Sequence, residues 1–281
     1  MTENQTTLLK AVNFEGIGLH CGKPAKLTIE PAPIGYGIIL ESDGARIPAD
    51  ADFVSETARG VTLSNNGVSV KTVEHALSAL RGLGVDNALL KIEGEEVPVL
   101  DGSAWLYVEA IEAAGLLQYD KAAAVWEYPQ ERSFVFRHKN SSYSVRSSDH
   151  LHLDVSLSFP NTAIGTQEVG FTFNGNDAYA REVAKSRTFC LEHEIVALKK
   201  AGLALGGSLE NAIVVDGDTI KSARPLHYKD EFARHKLLDL LGDLSLLGAG
   251  RLRFCVNAFA PGHEANVALV KQLRTILNKR G

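Results

Sequence analysis

Apolar residues recur along this chain at two periods, and the switches between them mark its elements. From residue 8 to residue 70, short runs are punctuated by Gly and Pro: LLKAVNF, AKLTIE, GIILES, VTLS and VSV. Short β-like runs separated by turn residues predict strands. The period then lengthens. In VEHALSALRGL, Val73, Leu77 and Leu80 share one stripe, which predicts a helix with Thr72 as N-cap and Gly82 or Gly84 at its end. A strand (NALLKIEG), a turn (VPVLDGSA) and a helix from Ser103 to about Gly115 follow, the last with Ala104, Tyr107, Val108 and Ile111 on its buried side. LQYDKAAAV reads as a connector.

The strand pattern then restarts with RSFVFRH, YSVRS, LHLDVSLSF and EVGFTF. Helices are expected near 177–186 and 190–202, and a short strand in NAIVVDG. A helix (DEFARHKLLDLLGDLSLLG), a strand (RLRFCVNAF), a turn (APGHEAN) and a final helix (VALVKQLRTILNKR) complete the chain, in the same order as residues 72–115. The expected fold class is α+β. It comprises two similarly folded α/β domains, 1–120 and 121–281, each a mixed or antiparallel sheet with two helices.

Composition narrows the function. With 281 residues, 45% of them hydrophobic, the chain can bury a core without disulfides. Lys plus Arg number 29 against 34 Asp plus Glu, a net charge of −5, which speaks against a bulk nucleic-acid binder. Cys21, Cys190 and Cys255 form no CxxC pair, whereas there are nine His, so a metal would be held by imidazole and carboxylate. No run approaches about 18 apolar residues, and the N-terminus has an early acidic residue and no apolar core. We expect a cytoplasmic protein without stable membrane insertion, probing a small-molecule substrate as a monomer.

The helix at 231–247 is apolar over most of its circumference, through Phe232, Leu237, Leu238, Leu240, Leu241, Leu244 and Leu247. His235, Asp239 and Asp243 interrupt it at four-residue steps. Each step turns the face by about 40°, so all three lie within about 80° of one another. Polar groups aligned on an apolar helix need partners. A zinc ion would supply one, and a solvated stripe is the plainer alternative. Glu74 and His75, adjacent at a predicted helix start, point about 100° apart and can reach one site from two directions. His75 is a candidate third ligand and Glu74 a candidate base, unless both simply occupy a surface helix turn. His263, in a turn before a helix, is a candidate proton donor. His150 and His152 alternate with Leu151, Leu153 and Val155, which places them on the opposite, solvent-side face with no third ligand apparent. His138 and His193 have no supporting pattern. GIGLHCG precedes a predicted strand and not a helix, so it is no dinucleotide turn. The basic Lys271, Arg274, Lys279 and Arg280 suit a helix C-terminus.

Taken together, GIGLHCG, KTVEH, LGVDNALLKIEGEEVPVLDGSA, SRTFCLEHEI, GLALGGSLENAIVV, DEFARHKLLDLLGDLSLLG and GHEAN resemble the UDP-3-O-acyl-N-acetylglucosamine deacetylases. The resemblance spans essentially the whole chain in order, and VEH with RHKxxDxxGDL is its most specific part. It implies a sandwich of two α/β halves with the metal site between them. It also implies hydrolysis of the acetamide, the committed step of lipid A synthesis. By this resemblance His75, His235 and Asp239 hold one Zn2+, with Fe2+ the alternative ion. Glu74 is the general base, His263 the general acid, Asp243 its orienting partner, and Thr188 a donor to the oxyanion. Lys236 and Phe189 would contact the sugar nucleotide. Leu191, Ile195, Gly207, Ser208, Leu209, Ala212 and Val214 would line an acyl passage. The chain departs from the family pattern at Leu226-His227-Tyr228, in KSARP and at Glu264-Ala265, which bears on substrate contacts. A paralogue acting on another acylated nucleotide sugar, and a catalytically silent binding protein, are the competing expectations.

Overall fold

The computed structural model describes residues 4–129 and 133–280. Glu3, the early acidic residue, and Arg132, which opens RSFVFRH, lie outside them. The first half contains β1 (Asn4–Leu8), β2 (Val12–Ile17), β3 (Pro24–Pro31), β4 (Ile38–Ser42), β5 (Ala45–Pro48), β6 (Val54–Glu56), β7 (Thr62–Asn65), β8 (Val68–Val70), α1 (Glu74–Gly82), β9 (Ala88–Glu93), α2 (Trp105–Ala114) and β10 (Leu116–Ala122). The second contains β11 (Val125–Glu127), β12 (Ser133–His138), β13 (Ser141–Ser147), β14 (His152–Phe159), β15 (Gly165–Thr172), α3 (Asn176–Glu182), β16 (Phe189–Leu191), α4 (Ile195–Lys200), β17 (Ile213–Asp216), β18 (Thr219–Lys221), α5 (Glu231–Leu244), β19 (Arg251–Phe259), α6 (His263–Ile276) and β20 (Asn278–Arg280).

The two principal sheets repeat one topology. The first runs β2-β3-β9-β4-β5, antiparallel except where β9 lies parallel to β4. The second contains the run β12-β13-β19-β14-β15, antiparallel except where β19 lies parallel to β14, and adds β11, parallel to the start of β19, with β20 antiparallel to β11. Each central strand is preceded and followed by a helix, α1 and α2 around β9, α5 and α6 around β19. The α+β sandwich expected from element order is the fold observed.

One apolar cluster joins the buried faces of both sheets to these helices. In β3, Ala25, Leu27 and Ile29 are buried, and in β14 Leu153, Val155 and Leu157, so each strand gives alternate residues to the core. Phe232, Leu237, Leu238, Leu240, Leu241 and Leu244 of α5 are wholly buried. Each contributes roughly 1.5–3 kcal/mol by leaving water. α5 packs on α1 and on the core side of β14 and β15. Gly242 permits the α1 contact: a Cβ there would lie 2.2 Å from the Glu74 carbonyl oxygen. A buried ion pair, Arg251 to Asp86 at 2.6 Å, ties the start of β19 to the segment before β9.

Several local expectations are corrected. LQYDKAAAV is largely strand: β10 pairs antiparallel with β1. Thr72 does not cap α1. It adopts φ +57°, and its hydroxyl donates to Glu96 at 2.6 Å, a partner distant in sequence. The helix expected at 190–202 is divided into β16, a short 3-10 turn at Glu192–Glu194 and α4, because Phe189–Leu191 pair in parallel with β17. The helix expected at 177–186 closes earlier, at Glu182. The last helix begins at His263 and ends at Ile276. Lys279 and Arg280 therefore belong to β20, paired with β11, and not to a helix C-terminus.

Candidate metal centre and active site

Helices α1 and α5 carry the site to their mutual contact. Glu74, His75, His235, Asp239 and Asp243 are all buried, as is His263 at the first turn of α6. The surface-turn reading of Glu74–His75 and the solvated-stripe reading of α5 are thereby excluded. The start of α5 is fixed by a buried ion pair. Glu231 accepts from the Arg187 backbone N–H at 3.1 Å and from its guanidinium at 2.8 Å. This holds the 186–188 segment beside the helix, where the Ser186 carbonyl faces His235 Nδ1 at 3.1 Å. A proton on Nδ1 donated to that carbonyl leaves the Nε2 lone pair for another partner.

That partner position is well defined. His235 Nε2 lies 3.4 Å and His75 Nε2 3.7 Å from Asp239 Oδ1. The two imidazole rings are edge-on at 89°, with centroids 5.1 Å apart. His75, His235 and Asp239 form a group whose donor atoms lie within 4.8 Å of one another. Among the described residues Asp239 Oδ1 is buried with no hydrogen-bond partner, an expensive arrangement for a carboxylate oxygen unless a cation occupies the space before it. Two imidazoles and a carboxylate are a donor set suited to a zinc-class ion with an open fourth position. Burial, with lesser contributions from His75 and Lys236, outweighs the pull of Asp239 and pushes His235 down to about 3, so its ring is neutral at physiological pH, as a ligand must be. For Asp239, burial acts against ionisation, but His235 and Lys236 outweigh it and hold the carboxyl well below the usual range.

A second polar group adjoins the first. His263 Nδ1 lies 2.9 Å from Asp243 Oδ2, which also accepts from Asn266 Nδ2 at 2.8 Å. His263 Nε2 lies 3.7 Å from Glu74 Oε1. Glu74 Oε2 accepts the Val61 backbone N–H at 2.9 Å, which fixes the carboxylate and leaves Oε1 toward the pocket. Burial opposes charging of His263, but Asp243 and Glu74 outweigh it and raise the imidazole to about 10. The ring is therefore protonated at neutral pH.

Glu74, His75, His235, Asp239 and His263 line an open pocket of about 320 Å³ that also includes Thr188, Phe189, Lys236 and the rim residues His138, Lys139 and Glu264, with Asp243 behind it. Lys236 donates to Asp239 Oδ2 at 2.8 Å and sits over the Phe189 ring at 5.7 Å from its centroid. Thr188 and Phe189 also line an adjoining, mainly apolar cavity of about 250 Å³ with Ile195, Gly207, Ser208, Leu209, Ala212 and Val214. Leu191, expected in that passage, packs instead against the core cluster. Phe189 and Cys190, the two preceding residues of β16, line the cavity, which ends short of Leu191.

Along its length the chain matches the family model described as UDP-3-O-acyl N-acetylglycosamine deacetylase, over residues 5–275. The chain belongs to this family. Curated proteins named UDP-3-O-acyl-N-acetylglucosamine deacetylase are similar to it. That of Myxococcus xanthus is 39% identical over 274 residues, 96% of this chain and 86% of the relative. That of Nautilia profundicola is 38% identical over 271 residues, 96% and 91% of the two chains. That of Chlamydia pneumoniae is 35% identical over 279 residues, 97% and 98%.

Three contributors to this deacetylase-family site were missed in the sequence. Asn266 shares the Asp243 carboxylate with His263, and its place three residues further along α6 is a helical spacing that signals a shared face. Glu96 accepts from Thr72 and from the backbone N–H groups of His20 and Cys21, which holds the residue pair leading into α1. Arg59 reaches Glu194 at 2.6 Å beside the apolar cavity that both it and His20 line. The last two are contacts between segments far apart in sequence, which no local pattern announces. Of the departures, Glu264 bonds His138 and Lys139 at the pocket rim, while the His227 backbone N–H donates to Glu231 at the start of α5.

Proposed function

We propose that this chain hydrolyses the acetamide of UDP-3-O-acyl-N-acetylglucosamine to the free amine and acetate, the lipid A step for which its family is named, with a zinc ion held by His75, His235 and Asp239. The observation carrying the metal is the partnerless buried Asp239 Oδ1 between two imidazoles. When bound, zinc supplies a Lewis acid for the acetamide carbonyl and acidifies water. Fe2+ suits the same donors and is the alternative ion. Glu74, whose Oε2 is anchored to Val61, takes the proton of the attacking water at Oε1. Thr188, with protonated His263, donates to the oxyanion as it develops. His263 Nε2 then passes its proton to the leaving amine while Asp243 holds Nδ1. Lys236 and Phe189 position the sugar nucleotide, and the apolar cavity receives the acyl chain. The reading takes the chain as two halves, 1–120 and 121–281, acting as a cytoplasmic monomer.

The test is acetate release from UDP-3-O-acyl-N-acetylglucosamine with and without a chelator. Release that stops on chelation and returns with zinc supports the reading. No release from the zinc-loaded enzyme overturns it.

A further inference from the structure

The histidines of the LHLDVSLSF strand have a partner that only the tertiary structure reveals. Because Leu153, Val155 and Leu157 enter the core, His152 and Asp154 face the other side of the sheet. Alongside runs β19, parallel, with Cys255 opposite His152 and Asn257 opposite Asp154. The nitrogen of His152, an oxygen of Asp154 and the sulfur of Cys255 all lie within 4.8 Å of one another. Since α5 packs on the core side of β14 and β15, the sheet separates this group from the catalytic pocket.

Three features make the cluster a built site. His152 Nδ1 lies 2.6 Å from Thr172 Oγ1, and Nε2 lies 2.9 Å from Asp154 Oδ1. With Nδ1–H donated to Thr172, the Nε2 lone pair faces a carboxylate oxygen, which requires a proton or a cation between them. Metal-binding imidazoles are commonly held in this way, one ring nitrogen anchored and the other free. Second, Gly170 stands opposite Asp154 on β15. A Cβ there would lie 2.6 Å from Asp154 Oδ1, so the missing side chain leaves the carboxylate room to lie beside the ring. Third, Cys255 is 1% exposed, with Sγ 3.6 Å from Asn257 Oδ1. A groove of about 520 Å³ opens beside the cluster, lined by Asp154, Gly170 and Asn257 and not by His152 or Cys255.

We propose that His152 Nε2, the Asp154 carboxylate and Cys255 Sγ bind a second divalent ion of the zinc class, clamping β14 to β19. Imidazole and thiolate select zinc or cobalt over magnesium or calcium. Metal bonds of about 2.0–2.3 Å place neighbouring donors of a tetrahedron roughly 3.3–3.8 Å apart, so the 2.9 Å between His152 Nε2 and Asp154 Oδ1 must open by about 0.5 Å, within a cluster whose donors lie no more than 4.8 Å apart. Binding expels the thiol proton to solvent, and water fills the fourth position.

Cobalt(II) provides a test independent of the catalytic reading. The His75, His235 and Asp239 group contains no sulfur, so a thiolate-to-cobalt charge-transfer band can report only a cysteine site. The enzyme loaded with Co2+ and dialysed is expected to retain two equivalents and to show that band. Cys255→Ser and His152→Ala should each retain one equivalent, lose the band and keep deacetylase activity. Asp154→Asn, at a half-buried position, should weaken the second equivalent about 10-fold or more. The proposal is overturned if the parent enzyme retains one equivalent with no band, if the second equivalent binds only at millimolar Co2+, or if the band survives Cys255→Ser.

Discussion

Gly242→Ala should dismantle the metal centre without touching a ligand. Its Cβ would lie 2.2 Å from the Glu74 carbonyl oxygen, 2.9 Å from the carbonyl carbon and 3.1 Å from Cα. All three are backbone atoms, so no side chain can rotate away. Ordinary contact begins near 3.4 Å, so α1 and α5 must separate by about 1 Å where they cross. His75 follows Glu74 directly, and Asp239 lies one turn before Gly242, with their ligand atoms now 3.7 Å apart. Metal–ligand distances tolerate about 0.2 Å, several-fold less than the forced opening. We expect a stability loss of about 1–3 kcal/mol from overpacking and a fall in turnover of about 10²-fold from misplaced groups. Zinc content after dialysis against a zinc buffer, far-ultraviolet circular dichroism and acetate release would be measured on one preparation. The expected result is native helix content with lost zinc and lost activity. A variant that kept the parent's zinc content and turnover would refute the argument that Gly242 sets the helix approach.

Further outcomes follow from the same geometry. Glu74→Ala should lower turnover by about 10²–10⁴ with zinc retained, whereas Asp239→Ala should lose the zinc itself, as read by metal analysis. A proton donor must be protonated to act, and His263 is raised, so activity should fall as pH rises through its pKa; in His263→Gln that alkaline limb of the pH–rate profile should vanish along with most of the rate. For Glu96, burial alone would raise the pKa, but hydrogen bonds from Thr72, Cys21 and His20 outweigh it and hold the carboxyl below its ordinary range. A depressed carboxyl stabilises the fold above its unfolded pKa and loses that contribution as pH falls through the folded value. Glu96→Gln should therefore be less stable by about 1–3 kcal/mol near neutral pH, with the gap narrowing below about pH 4 in urea titrations. Ala212→Phe should narrow the apolar cavity and reduce kcat/KM for long acyl chains roughly 10–200-fold, sparing short ones; equal loss for both would count against an acyl passage.

Much of the site was legible because helix spacing is a local property. His235, Asp239 and Asp243 had to share a face of α5 once its apolar circumference made it a helix. The adjacency of Glu74 and His75, and the position of His263 before a helix, pointed to the same chemistry. The Thr72 cap failed because a buried carboxylate, Glu96, outcompeted the helix end for the hydroxyl. Residues 116–122 were misread because their partner is at the opposite end of that half. His152 faces outward as read, but no third ligand was apparent because Cys255 is brought beside it only by strand pairing.

By itself, then, the sequence determined which residues could do chemistry and which elements would carry them, since periodicity, turn residues and polar interruptions act over a few positions of chain. It also ordered the two halves, whose helix–strand–helix sequence recurs. Only the tertiary structure decided that α1 and α5 meet at Gly242, closely enough for His75 to face Asp239. Only it decided that Asp239 Oδ1 is stripped of hydrogen-bond partners. The reason is physical: desolvation and ligand geometry depend on what surrounds a group in space, and here those surroundings come from segments about 160 residues apart, brought together by burying one common core.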